Sequence, residues 1–415
     1  MRILVISQYW EPENGVPQRR WAWLAEVLRA NGHEVAVVAP PPHYPTGVLD
    51  KNWTPVSSEL GAHGERIFRS NFRPHGRGIS DRVISQAYIA ASTLRKAVGI
   101  IRRRDFVPDV VIGTVPAIPS AIVARIIATF SNAGLLIDLR DAWPELLHNS
   151  SEWNSSLHKE KSWIDLIKQV IKIPVIHATS VAMTSALQKS SGVIVTAADL
   201  EVPNEHRFII RNVFPSPALK DFRIDRQTLH EEGSLRILYG GTLGRAQDLD
   251  NAIVAFQLLQ AVAPRSEMHI VGGGVAKKSL QQFCEHHQLN VKFYERAPLE
   301  EMKKHYEWAD TALVHLANWP ALAKAVPSKT YELMEIGIHI SGVVNGEAEA
   351  IISELDAGAT AAPGVPEELA AVWMHILAHG LNHSPAKARS WIQHQRSNVA
   401  VEQLLSAIEL ANRSS

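Results

Sequence analysis

The stretch ILVISQYW at residues 3–10 returns in altered form as ILYGGTLG at residues 237–244. Each is an aliphatic, β-branched run that ends in a turn and leads into a longer segment of helical period. Near-continuous apolarity over so few residues implies burial on both faces, as in a parallel sheet covered by helices. The same unit recurs along the chain. In the first half the runs are RILVIS, EVAVVAP, DVVIGTV, GLLIDL and GVIVTA; in the second they are LRILYGG, MHIVGGG, NVKFYE, TALVHL and HISGVV. Segments such as RRWAWLAEVLRANGHE, with Gly32 as a stop signal, supply crossover helices. The fold class is therefore α/β, doubly wound around parallel sheets.

The restart of the pattern predicts two Rossmann-like domains, residues 1–207 and 208–390. The polar, proline-bearing stretch FPSPALKDFRIDRQTLHEEGS, residues 214–234, reads as the linker. The amphipathic helical segment at 391–415 is expected to pack back on the first domain. Such sheets take ligands outside the carboxyl ends of their strands, and two of them facing each other would enclose a central cleft.

Composition narrows the class. Of 415 residues, 46% are apolar and 20% charged, an ordinary globular balance that argues against disorder. The single cysteine, Cys284, excludes an internal disulfide and suits a reducing compartment. The N-terminal apolar run is too short for a signal peptide, and no run reaches the roughly 18 apolar residues of a membrane span. Residues 110–130, interrupted by Pro116, Pro119 and Arg125, read as a buried strand and helix. A soluble cytoplasmic chain is expected. Net charge is zero, yet residues 1–215 carry 24 Lys/Arg against 19 Asp/Glu. That basic half suits an anionic ligand or membrane surface.

If ligands lie at strand ends, the following loops should carry the chemistry. After the first strand comes QYWEPENGVPQRRW, where Gly15 permits close backbone approach or positive φ. Arg19 and Arg20 stand where a helix should begin, on a ligand or simply exposed. After the fourth apolar run comes DLRDAWPE. Its Arg140, Asp141 and Glu145 beside Trp143 form either a structural ion pair or a wall against a polar substrate. YGGTLGRAQDLD offers Gly240, Gly241 and Gly244, whose backbone N–H groups could face an anion, with Arg245 close by. The second glycine run, Gly272 to Gly274, does not fit the dinucleotide fingerprint; tight strand-to-helix turning accounts for it.

VPSKTYELMEIG, residues 326–337, sharpens the case. Pro327 suits a first helical position, but Lys329 sits at the positive end of the helix dipole, where a carboxylate is preferred. A bound diphosphate would resolve that conflict. It would accept bonds from the N–H groups of residues 326–329 and pair with Lys329, leaving Glu332 for the two hydroxyls of a ribose. No H-E-x-x-H or paired C-x-x-C occurs, and CEHH at residues 284–287 reads as a helix surface, so neither metal nor cofactor is expected. A serine-hydrolase elbow is also missing.

In order and spacing, YWEPENGVPQRRWAWLAEVLRANGHEV, DLRDAWPE, the strand IIRNVF, YGGTLGRAQDLD, MHIVGGG and VPSKTYELMEIG with VNGEAEAI resemble the retaining glycosyltransferases of family GT4. The likeness is nearest to the bacterial subgroup that builds cell-surface polysaccharides. The resemblance implies the GT-B fold and metal-independent sugar transfer from a nucleotide-diphosphate donor such as a UDP-sugar. The acceptor would be a glycan or a polyprenyl-diphosphate-linked glycan, held mainly by the N-terminal domain, and the donor would lie on the C-terminal one. By position, Gly15 would approach the diphosphate, Arg140 and Asp141 would take the family's His-Asp place near the donor sugar, and Glu332 would be the second glutamate of the E-x7-E motif. Its first glutamate falls on Lys324. The family's phosphate-binding arginine and lysine fall on Thr242 and Gln247, leaving Arg245 and Lys329 as replacements. Gly241, Gly244 and Ser328 complete the donor set.

The segment RVISQAYIAASTLRKAVGIIRRRDF is either a core-packed helix with solvated arginines or a docking face for the inner side of a membrane. No nucleic-acid partner is expected. The rival readings are a nucleotide-sugar epimerase and a non-catalytic nucleotide-sugar-binding subunit.

Overall fold

The structure, a computed structural model, describes residues 1–414 except 14, 45, 52, 55, 77–78, 144 and 146–162. The chain divides into two compact units, Met1–Phe214 with Asn398–Ser415, and Pro215–Ser397.

Among the described residues, the first unit holds eight strands: β1 (Arg2–Ile6), β2 (Glu34–Ala39), β3 (Ser58–Leu60), β4 (Arg66–Arg69), β5 (Val110–Val115), β6 (Gly134–Leu139), β7 (Gly192–Val195) and β8 (Arg207–Ile209). Their order is β3-β4-β2-β1-β5-β6-β7-β8, parallel throughout except that β3 runs antiparallel to β4. The second unit holds β9 (Arg236–Gly240), β10 (Glu267–Val271), β11 (Val291–Tyr294), β12 (Thr311–His315), β13 (His339–Val343) and β14 (Gly358–Ala361), in the all-parallel order β11-β10-β9-β12-β13-β14.

All ten apolar runs are strands. The central ones are buried end to end: Ile3 to Ile6 and Val110 to Ile112 are each 0% exposed, because helices cover both faces. The short strands β3, β4 and β14 lie at or next to sheet edges, where fewer apolar neighbours are needed and no long run marks them. IIRNVF is not itself a strand. The extended piece is Arg207–Ile209, and Ile210 turns away after a single bond to the Val195 carbonyl. Its own carbonyl is taken by the Arg20 guanidinium, 2.8 Å away.

In each sheet one strand marks where the winding reverses. β1 lies between β2 and β5, and β9 between β10 and β12. The carboxyl ends of these pairs are where doubly wound sheets leave a crevice. Under the second sheet, Leu235, Ile237, Phe256, Ile270 and Trp373 form one buried cluster. The helix Ala400–Arg413 returns to the first unit and packs on β6, β7 and β8. A Cβ on Gly134 would lie 2.1 Å from the Ala411 carbonyl oxygen, so glycine there lets the helix seat against the start of β6.

Candidate functional site

The second unit gathers most of the expected residues at the carboxyl ends of β9 and β12. The Gly241 N–H, expected to face a ligand, instead donates to the Val271 carbonyl at 3.0 Å, and Leu243 N–H donates to Gly273. The amides of Thr242 and Gly244 have no backbone partner among the described residues. The second glycine run explains the first. A Cβ on Gly272 would lie 1.8 Å from the Gly241 oxygen, and one on Gly274 would lie 2.1 Å from the Leu243 oxygen. Gly272 and Gly274 therefore let this loop lie flat on the end of β10. Tyr239 Oη holds the loop from below, donating to the Thr242 carbonyl at 2.7 Å.

The loop continues into a 3-10 turn, Arg245–Gln247, with Arg245 exposed. Ala317 N–H, just past β12, donates to the Ala246 carbonyl at 2.9 Å. His315, the last residue of β12, is 2% exposed and accepts from Asn251 Nδ2 at 2.9 Å. Burial lowers its imidazole to about 4, against the opposing pull of the Gln247 backbone. It is neutral at pH 7 and acts as a buried strut under the turn.

The helix expected from VPSKTYELMEIG spans Ser328–Ile336, so Pro327 is its N-cap and not its first turn. Pro327 has no side-chain acceptor, and the first turn carries no acidic residue. Gly337, at φ 82°, closes the other end in the left-handed conformation that favours glycine. The lysine's misfit with the dipole is resolved within the protein. Lys329 Nζ lies 2.8 Å from Glu332 Oε1, one turn on, and donates to Tyr306 Oη at 3.1 Å. Tyr306 Oη in turn donates to the same Glu332 oxygen at 2.6 Å.

Burial works against the Lys329 charge, but Tyr306 and Glu332 outweigh it and hold the ammonium above the ordinary lysine value. Burial likewise pushes the Tyr306 hydroxyl up, so both protons stay in place at neutral pH. Lys329 also acts electrostatically on Tyr239 at the end of β9. A Cβ on Gly240 would touch Met302, one helical turn before Tyr306. Glycine loop and lysine helix tip thus meet around two tyrosines that sequence reading missed. Tyr306 reads in sequence only as the apolar face of LEEMKKHYEW, and nothing local points it at Glu332. Lys324 follows the short helix Pro320–Ala323.

In the first unit, Gly15 caps the helix Val16–Ala30 in extended conformation, φ −139°, so positive φ is not its role. A Cβ there would meet Gln18 Oε1 at 2.5 Å. Arg20 is neither exposed nor a ligand group. At 0% exposure it pairs with Asp138 at 2.9 Å, and Trp21 Nε1 donates to the same carboxylate at 2.8 Å. Arg19 lies over the Phe214 ring. Arg140, 8% exposed, donates from Nε to the Val115 carbonyl at 2.8 Å. Burial raises the neighbouring Asp141 carboxyl above the usual carboxylate range, although Arg140 pulls it down. Among the described residues no group of three His, Cys, Asp or Glu could hold a metal.

The family described as "Glycosyl transferases group 1" matches residues 221–396, nearly the whole second unit. The chain is also 23% identical over 360 residues, 86% of each protein, to the putative colanic acid biosynthesis glycosyl transferase WcaI of Escherichia coli strain K12. Among solved structures, sucrose-phosphate synthase from Thermosynechococcus elongatus superposes with a TM-score of 0.63 at 14% identity, covering 100% of this chain and 97% of that one. HepE from Anabaena in complex with UDP-glucose gives 0.58 at 14% identity over 100% and 99%. The chain therefore shares the GT-B fold of these structures, and the family match falls on the unit that carries the glycine loop and the lysine helix.

Proposed function

We propose that the chain is a retaining, metal-independent transferase of the GT4 type. It moves a sugar from a nucleotide-diphosphate donor, UDP-linked by analogy with HepE, to a glycan or lipid-linked acceptor in cell-surface polysaccharide synthesis. WcaI, named for colanic acid, supports the polysaccharide setting. The observation that carries the reading is the helix tip beside the glycine loop, with a charged lysine, an uncapped N-terminus and a carboxylate one turn on.

Breaking a sugar–phosphate bond leaves negative charge on the departing diphosphate. Donors already aimed at those oxygens stabilise that state without reorganisation. Lys329, the free helix N–H groups and Arg245 take this role. A diphosphate draws Lys329 from Glu332 and exchanges one anionic partner for another. Glu332, kept in place by Tyr306, then accepts the ribose hydroxyls.

Removing one such donor costs about 3–4 kcal/mol, some hundredfold or more in turnover. Lys329→Ala is therefore expected to cut kcat at saturating donor by at least that factor, and Glu332→Gln to weaken donor binding. Wild-type turnover in Lys329→Ala and Arg245→Ala would refute leaving-group stabilisation. Lys324, at the place of the motif's first glutamate, favours a second reading, a nucleotide-sugar-binding subunit that transfers nothing. Tight donor binding without turnover across an acceptor panel would assign it, while sugar inversion without any acceptor would assign an epimerase.

The helix Ile79–Arg102 exposes Val83, Ile84 and Tyr88 at 47%, 52% and 43%, and Arg95 is exposed two turns beyond Tyr88. No described helix is long and apolar enough to cross a membrane. This face is proposed to rest on the cytoplasmic leaflet near a lipid-linked acceptor. Failure to co-sediment with anionic vesicles at low salt would remove that part of the proposal.

A further inference from the structure

The crevice at the carboxyl ends of β1 and β5 opens as a narrow pocket. Its lining includes Ser7 and Gln8 after β1, Gln86 and Thr93 from the helix Ile79–Arg102, and Ser120 from the first turn of the helix Ile118–Ser131. Arg140 lies over the end of β5. Its Nε is bound to the Val115 carbonyl, two residues before the N-cap Ala117 of that second helix. Arg140 Nη2 has no hydrogen-bond partner among the described residues, although the side chain is more than nine-tenths buried. Leaving a buried charged donor unsatisfied is costly, and native structures supply a partner. The adjoining helix has neither a side-chain cap nor an acidic residue in its first turn, so its positive end is also uncompensated.

A second guanidinium is carried by the helix that lines this pocket. Arg82 stands one turn before Gln86 on its helix, exposed and without an ion pair among the described residues. Both Arg82 and Arg140 act on the hydroxyl of Tyr9, the residue after Gln8. The nearby carboxylates are already engaged. Glu13 accepts from the backbone N–H groups of His43 and Tyr44 and from Gln18 Nε2. Asp138 is held by Arg20 and Trp21; it and Asp141 act on Arg140 through space, and neither accepts a hydrogen bond from Arg140 Nη2. Tyr44 is 42% exposed and meets Tyr9 edge-on at 5.5 Å, which leaves ring surface for the apolar face of a sugar.

We infer that the first unit holds a subsite for the anionic group, phosphate ester or carboxylate, of a sugar acceptor, with Arg140 and Arg82 as counter-charges and Tyr44 as the sugar platform. The inference rests on the glycosyltransferase reading and adds the chemical class of the acceptor.

Titration calorimetry on the full chain with glucose 1-phosphate, glucuronate and glucose tests it. One of the two anionic sugars is expected to bind at least tenfold more tightly than glucose, and which of them does so tells a phosphate ester from a carboxylate. Each charge-assisted contact is worth about tenfold or more, so Arg82→Gln and Arg140→Gln are each expected to lower that affinity by about tenfold. Arg82 is exposed, so its variant folds even where the Arg140 variant does not. Lys329→Ala removes any sugar-phosphate binding at the helix tip of the second unit, and the part of the preference that Arg82→Gln abolishes is expected to survive it. Equal binding of the three sugars overturns the inference, as does a preference that survives Arg82→Gln or one lost only in Lys329→Ala. The probes carry no nucleotide, so a chain that binds sugar nucleotides but not these anions loses this inference alone. A chain that does the reverse loses the donor reading.

Discussion

Tyr306→Phe removes one oxygen from the network under the helix tip, and the structure limits what that should cost. The hydroxyl donates to Glu332 at 2.6 Å and accepts from Lys329 at 3.1 Å, in a side chain 1% exposed. Losing a buried charge partner outright would cost about 3–5 kcal/mol. That limit does not apply here, because Lys329 and Glu332 remain 2.8 Å apart and neither charge is orphaned. The loss is that of hydrogen bonds to charged groups, about 1.5–3 kcal/mol. For a unit of this size each kcal/mol moves the midpoint by about 2–4 °C, so thermal unfolding should fall by about 3–12 °C. Tyr306 lies behind the carboxylate and acts as a positioning residue. The donor KM should therefore rise, while kcat at saturating donor stays near wild type. A midpoint within about 1 °C of wild type together with an unchanged donor KM would refute this account of how Glu332 is held.

Three further outcomes follow from the geometry. His315 is buried and its folded value is depressed to about 4, so its contribution to stability is whole above the ordinary histidine value of about 6.5 and is lost as pH falls towards 4. His315→Gln should flatten the decline in urea midpoint across that window, and an unchanged slope would count against the strut. Gly272→Ala would force a Cβ onto the Gly241 oxygen, whereas Gly273 has nothing within 4 Å. The first variant should lose at least about 1–3 kcal/mol and weaken donor binding, with Gly273→Ala near wild type in both; equal behaviour would show that the loop does not rest on Gly272. Arg20→Ala leaves Asp138 buried without its cation and should cost about 3–5 kcal/mol in denaturant unfolding. A loss below about 1 kcal/mol would mean that the pair is not structural.

By itself the sequence determined the ten strands marked by apolar runs, their pairing with helices and the restart at ILYGGTLG, because each of these signals is carried within a dozen residues. It also placed the glycine loop and the lysine helix, since glycine and proline act on the local backbone. Tertiary structure alone decided what those residues touch. Lys329 sits badly in its own helix until Tyr306, 23 residues away, and Glu332 close around it. Arg20 reads as a surface arginine until β6 brings Asp138 beneath it, 118 residues on. Gly272 reads as a turn until β10 lies beside β9 and the Gly241 loop settles on it. The unsatisfied nitrogen of Arg140 becomes visible only once β5 lies beside β6. Strand order in a doubly wound sheet departs from chain order at its crossover points. Partners across those points are therefore set by the packing of whole elements and not by any period in the sequence.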